Sequence, residues 1–411
     1  MIDLNKFTYN YFLILFSLIP VSIILGSSVS LINILIIDIS FLFLIFKSNQ
    51  LKFLKAEPIK YLIVLYIYLF FNSLVSVDAS SGIYRNLGFL RIIILFVAFN
   101  FFFNQKFFLE KLLKIWLIIM SIVVFDVFFE YFVGKNLLGY PESREVGVSF
   151  GSRLVSFFKD EPIVGGFING FYLILIGFLA NKYYFKQKKI IFFVSIIFLL
   201  AILFTGERSN SIKALLGIFL LIIFFKHLEK RFKIIFFTIS LLTLILLIFN
   251  SDYLKLRYTE QIKGALTSES RYLALYKSGF EVFKQFPLFG SGNKNYRVVT
   301  CDNDNPKIVK SENFLCTTHP HQIYFEFLSE HGLLGTFILL FLFYKIIFSK
   351  IFMVIKEANY IQMGSMIFLI TTFLPMLPSG SFFNDYGITI FAINLGIMYG
   401  SNLNFNVFNK N

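Results

Sequence analysis

The chain has 411 residues, 57% of them hydrophobic and 15% charged, with a formal net charge of +14 and a mean hydropathy of +0.74. Soluble domains carry roughly 45–50% apolar residues, so an ordinary soluble globular protein is excluded. Continuous apolar runs also exclude a membrane β-barrel, whose strands alternate apolar and polar positions. The basic residues are spread over separate connections and not gathered on one domain, so no nucleic-acid partner is expected.

In chain order the apolar runs predict twelve membrane spans, at about 9–27, 30–47, 60–77, 88–104, 112–133, 163–181, 190–205, 211–226, 234–250, 333–349, 361–378 and 386–402. The fold class is therefore an all-α polytopic membrane protein, read as one integral membrane domain over residues 1–411. The first run, Tyr11 to Gly26, lacks a small-residue cleavage site behind it and is expected to be a retained span. Connections near 47–60, 105–114, 182–189, 226–233 and 345–356 each carry three or four basic residues. By the positive-inside rule these are cytoplasmic, as are both termini. Three segments then face outward: 134–162, the short turn 205–210 and a long loop at 251–332, ahead of the tenth span.

The 38 basic residues comprise 29 lysines and nine arginines, and only Arg231 of the arginines falls in a cytoplasmic connection. Arg85, Arg91, Arg144, Arg153, Arg208, Arg257, Arg271 and Arg297 fall on or near the outer side. Topology needs only positive charge, whereas the planar guanidinium fork binds phosphate or carboxylate bidentately. The alternative is pairing within the loops, with Glu142, Glu145, Glu161 and Glu269 close in sequence. Arg208 stands apart, because a charge in a six-residue turn between two spans is costly and usually functional, although Glu207 beside it is an available partner.

Three of the four histidines lie in residues 316–335, CTTHPHQIYFEFLSEHGLLG. The segment predicts an N-cap at Thr318 or His319, Pro320 in the first helical turn, and a C-cap at Gly332. Gln322, Glu326 and Glu330 would share one face of that helix. His319 and His321 would stand at its start, beside free backbone N–H groups that attract anions. Three roles are open for the histidines: metal ligands, helix caps, or a general base or donor to a substrate hydroxyl. Metal is the weakest, because His-x-His has no further metal-site spacing around it.

His321-Gln322, nine residues, Gly332, two residues, Gly335 matches the signature H-[NSQ]-x9-G-x-x-[GTY], and the chain thereby resembles the bacterial O-antigen ligase and polymerase family. Three other stretches resemble the same family in consistent order: SRLVSFFKDEPIVGGF with Arg153, TGERSNSIKALLG with Arg208, and SESRYLALYKSGFEVFKQFPLFGSGNKNY with Arg271 and the Pro287, Gly290, Gly292 turn. Asp160-Glu161-Pro162 departs from the family's usual Asn-Pro-Asn, and Gln322 from its commoner Asn.

The resemblance implies a GT-C-like membrane glycosyltransferase. It would pass a glycan from undecaprenyl diphosphate to an acceptor hydroxyl at the periplasmic face of the bacterial inner membrane. The acceptor would be lipid A-core for a ligase, or a growing glycan for a polymerase. The roles implied are catalysis for His321 and Arg208, and substrate binding for Arg271, Arg153, His319, Gln322 and Glu330, with no metal and no cofactor. Cys301 and Cys316, fifteen positions apart in the outward loop, are then expected to form a disulfide in the oxidising periplasm. A flippase for lipid-linked sugars is the competing class. It would call for mid-span charge and an internal repeat, and neither is evident.

Overall fold

The computed structural model describes residues 4–49, 51–140, 153–159, 161–265, 270–302 and 306–409. Glu142, Arg144, Glu145, Asp160 and Glu269, which figured in the sequence reading, lie outside them. The protein is a polytopic helical membrane protein. Lipid offers no partner for backbone N–H and C=O groups, so long apolar runs satisfy them within helices.

Among the described residues eight helices are long and apolar enough to cross a membrane: Lys6–Leu25, Ser27–Ser48, Ala79–Phe103, Phe108–Val133, Val164–Tyr183, Gln187–Phe204, Lys230–Asn250 and Ile323–Glu357. The other four predicted runs are helical too, as Glu57–Leu74, Arg208–Ile223, Tyr360–Thr372 and Asp385–Gly400, but have only 18, 16, 13 and 16 residues. A straight crossing takes about 20.

The Val164 helix is the centre of the bundle, with 89% of its span enclosed, against 17% for the peripheral Lys230 helix. Small residues allow its close packing: a Cβ on Gly177 would lie 2.1 Å from the Tyr360 carbonyl oxygen, and one on Gly364 would lie 2.2 Å from that of Leu173. The chain reverses at Gln187, the one non-helical residue between the Val164 and Phe204 ends. The reversal brings the Tyr172 hydroxyl to the Ser195 carbonyl at 2.8 Å.

The 251–332 segment is substantially helical, with Arg271–Gln285 and the short Tyr296–Cys301 among its elements. A disulfide joins Cys301 to Cys316. The histidine segment differs from expectation at both ends. Its helix begins at Ile323, with Gln322 as the N-cap: the side-chain oxygen accepts from the amides of Tyr324 at 2.8 Å and Phe325 at 3.0 Å. Thr318, His319 and Pro320 therefore precede the helix.

Gly332 does not end that helix but breaks it, at φ 64° and ψ −170°, a conformation open essentially to glycine alone. The break docks the Pro287–Gly292 turn backbone to backbone. Leu333 and Leu334 amides donate to the Pro287 and Leu288 carbonyls at 2.8 and 3.1 Å. In return Ser291 and Gly292 amides donate to the Ser329 and Glu330 carbonyls at 2.9 and 3.0 Å. A Cβ on Gly290 would sit 2.2 Å from the His331 nitrogen, so two glycines remote in sequence are needed for one contact.

Candidate functional site

At the end of the bundle where the Arg208 and Ile323 helices begin lies a cavity of about 540 Å³. One wall is the start of the Arg208 helix, which brings Arg208, Ser209, Asn210, Ile212 and Lys213. Arg153, Arg257, Tyr272 and Tyr276 line it from the flanking segments, and His321 from the histidine motif. The wall from Met376 to Gly380 is the turn between the last two helices.

His321 reaches the cavity through an inverted backbone. Its φ is +55°, which for a residue with a Cβ costs about 1–3 kcal/mol and must be held by its surroundings. The Ser379 amide donates to the His321 carbonyl at 2.8 Å, and the His319 ring lies 4.0 Å away, centroid to centroid. Burial first, then the His319 ring and the Arg271 charge, push the His321 imidazole down to about 4, with Glu326 opposing and Arg153 adding to the shift. The ring is thus neutral at pH 7.

His319 is a support. Its Nε2 faces the Ser379 carbonyl at 3.3 Å, and a carbonyl only accepts, so Nε2 carries the proton. Nδ1 then accepts from the Thr318 hydroxyl at 2.9 Å. Burial, reinforced by the Lys294 charge, lowers its pKa to about 4.

The cations converge from four places in the sequence. Arg208 and Arg271 make no ion pair or side-chain hydrogen bond among the described residues. Arg208 opens its helix at the cavity, and Arg271, first residue of the Arg271–Gln285 helix, is exposed beside it. Arg257 is buried, and its guanidinium donates to the Gly206 carbonyl from Nε at 3.2 Å and Nη2 at 2.8 Å.

Glu207 does not pair with Arg208. Its carboxylate accepts from the amides of Gly165 at 2.5 Å and Gly166 at 3.1 Å and from Asn210 at 2.7 Å, tying two helix starts together. Burial raises its pKa, against the lowering effects of those hydrogen bonds and Arg153.

Two expected binding residues point elsewhere. Gln322 is consumed as the helix cap, and Glu330 is buried away from the cavity, its Oε1 accepting from the Tyr296 amide at 3.2 Å. Glu326 is also buried; it accepts from the Ser381 hydroxyl at 2.5 Å and from the Phe382 amide at 3.0 Å, anchoring the turn that forms the far cavity wall. Among these arginines, Arg85 and Arg91 both pair with Asp385 at the start of the last helix, a remote partner that the loop-pairing alternative did not name. The sequence reading missed Lys213, gave Arg257 no place in the site, and had no signal for Met376–Gly380, an apolar turn with Pro and Gly.

The protein is thus a membrane-embedded helical bundle with an arginine-lined, histidine-bearing cavity at one end. Residues 193–340, 148 of the 411, match the family model Wzy_C, described as O-antigen ligase, and this match supports the family resemblance that the histidine motif led us to expect. The match supports a membrane glycan-transfer role and takes in Arg208, Arg257, Arg271, both cysteines and all three motif histidines, while Arg153 lies before it. No curated protein matches the chain.

Proposed function

We propose that this protein is a metal-independent glycosyltransferase that moves a glycan from undecaprenyl diphosphate to an acceptor hydroxyl at the periplasmic face of the inner membrane. The observation that carries the reading is the meeting of a neutral His321 with Arg153, Arg208, Arg257 and Lys213 around one cavity. In this reading all twelve helical runs cross the membrane, both termini are cytoplasmic, and 251–332 faces the periplasm.

The chemistry then follows from the positions. The acceptor oxygen attacks the anomeric carbon of the donor sugar while its proton passes to the His321 ring. The bond from that carbon to the diphosphate oxygen breaks, and the electron pair leaves on the diphosphate. Arg208, with Arg153 and Arg271 nearby, stabilises the charge that develops there. An imidazole lowered to about 4 is by itself a weak base. An arriving diphosphate offsets the repulsion from the cations and raises it toward working pH. Both ring nitrogens of His319 already have protein partners, so the His-x-His pair is not poised to chelate, and fixed cations take the place of a metal.

Ligation of O-antigen to lipid A-core is the preferred reaction, on the His-Gln-x9-Gly-x-x-Gly form of the motif. Polymerisation of the same repeat is the second. Purified protein with undecaprenyl-diphosphate-linked repeats should transfer even a single repeat to lipid A-core, and should do so in excess EDTA. Chain growth without lipid A-core would make it a polymerase, and a strict need for added magnesium would end the metal-independent mechanism.

A further inference from the structure

A lysine in a membrane helix is costly unless it is paired or faces a cavity. Lys213 lies five residues beyond Arg208 on the same helix and lines the cavity, with no ion pair or side-chain hydrogen bond among the described residues. Among the described residues the cavity offers it no free counter-charge. Glu207 is the single acid among the described residues lining the cavity, and its oxygens are already taken by two backbone amides and Asn210.

At about 1.5 Å of rise per residue, Lys213 stands about 7.5 Å further along the helix than Arg208, away from the end where His321 sits. It shares a face with Ser209 and Ile212, at i, i+3 and i+4. Ile212, Leu273, Met376 and Leu377 give the cavity an apolar share of its lining. A cation beside apolar side chains, set deeper along the helix than a second cation at its start, matches a lipid diphosphate end to end.

We propose that Lys213 binds the phosphate nearer the prenyl chain, and that Arg208 binds the phosphate nearer the sugar. The assignment rests on the glycan-transfer reading and divides the labour between the two cations. When the bond from sugar to oxygen breaks, new charge appears on the sugar-side phosphate. The prenyl-side phosphate carries the same charge before and after. A contact to that phosphate therefore strengthens donor and transition state alike, and its loss shows in KM and not in kcat.

The test uses the full chain in lipid nanodiscs, titrated with undecaprenyl diphosphate and undecaprenyl monophosphate, together with transfer kinetics. The monophosphate retains only the prenyl-side group. Lys213→Met should weaken both lipids by roughly tenfold or more, with kcat at saturating donor within about twofold of wild type, and Lys213→Arg should restore affinity. Arg208→Ala should weaken the diphosphate and spare the monophosphate. If Lys213→Met does not fold, Lys213→Gln keeps a polar head without the charge and carries the same expectation. Unchanged monophosphate affinity in the neutral variants overturns the assignment, as does a fall in kcat with KM intact. A neutral variant that melts higher and binds as before would show a lysine that is only a buried charge. Wild-type protein that binds neither lipid would bring down the transfer reading as well.

Discussion

At the scale of single residues, the two histidines of one His-x-His pair have opposite assignments, and substitution should separate them. His321→Ala removes the only imidazole that lines the cavity among the described residues, and transfer should fall by about 10²–10⁴-fold. Membrane insertion should be unchanged; full activity in that variant would take His321 out of the mechanism. The pH dependence has a definite sign. Both imidazoles are held down to about 4, whereas a histidine in the unfolded chain titrates near 6.5. The stability contributed by their neutral forms is complete above about 6.5 and is lost as pH falls toward 4. Thermal unfolding between pH 7 and pH 4.5 should show that loss, reduced when both are replaced by Gln. Arg208→Lys keeps the charge and discards the fork; loss of a charge-assisted bond of about 1.5–3 kcal/mol implies roughly a 10–150-fold drop in activity at normal expression. Equal activity would exclude bidentate binding at that position.

At the scale of elements, the site depends on parts that touch no substrate. The Gly332 break is held against the Pro287–Gly292 turn by four backbone hydrogen bonds. A Cβ at Gly332 would lie 2.4 Å from the Leu288 carbonyl, and the backbone there is closed to other residues. Gly332→Ala should lower stability by about 3 kcal/mol or more, from the strained backbone and the lost dock together, as read by thermal unfolding in detergent. The Cys301–Cys316 bridge ties the Tyr296 helix to the strand of chain that leads into His319. Thiol reagents should reach both sulfurs only after reduction, and reduction should cost about 3 kcal/mol by chain entropy. Labelling without reductant would contradict the bridge.

At the scale of the whole molecule, the sequence made some of this legible and hid the rest for identifiable reasons. The bundle announced itself because apolar length is a one-dimensional property, and each predicted run is met by a helix. His321 and Arg208 were legible through their motifs, and the structure sets both on one cavity. Lys213 was not, since a lysine inside an apolar helix looks alike whether it snorkels to the surface or faces a cavity. Arg257 was visible as an outer arginine, but its place depends on a chain reversal that brings it to Gly206, 51 residues away. Gln322 and Glu330 were read as binding residues from the family resemblance, and a motif match does not say which way a side chain faces. In the structure Gln322 caps the helix that starts at Ile323, and Glu330 accepts from the Tyr296 amide.

That start and the break at Gly332 also account for the spacing in the motif. A cap at Gln322 fixes one end of the segment, and the dock against Pro287 and Leu288 fixes the other. Between them lie ten residue steps, about 15 Å and just under three turns of helix. The segment works as a gauge block: it sets both the height and the bearing of His321 relative to the docked Pro287–Gly292 turn. One residue more or fewer would rotate everything beyond it by about 100°. Within the gap Glu326 and Glu330 are held by their own hydrogen bonds and the other side chains answer to packing, whereas the number of residues is fixed by the two ends, and a nine-residue interval in the sequence is the imprint of a fixed length in space.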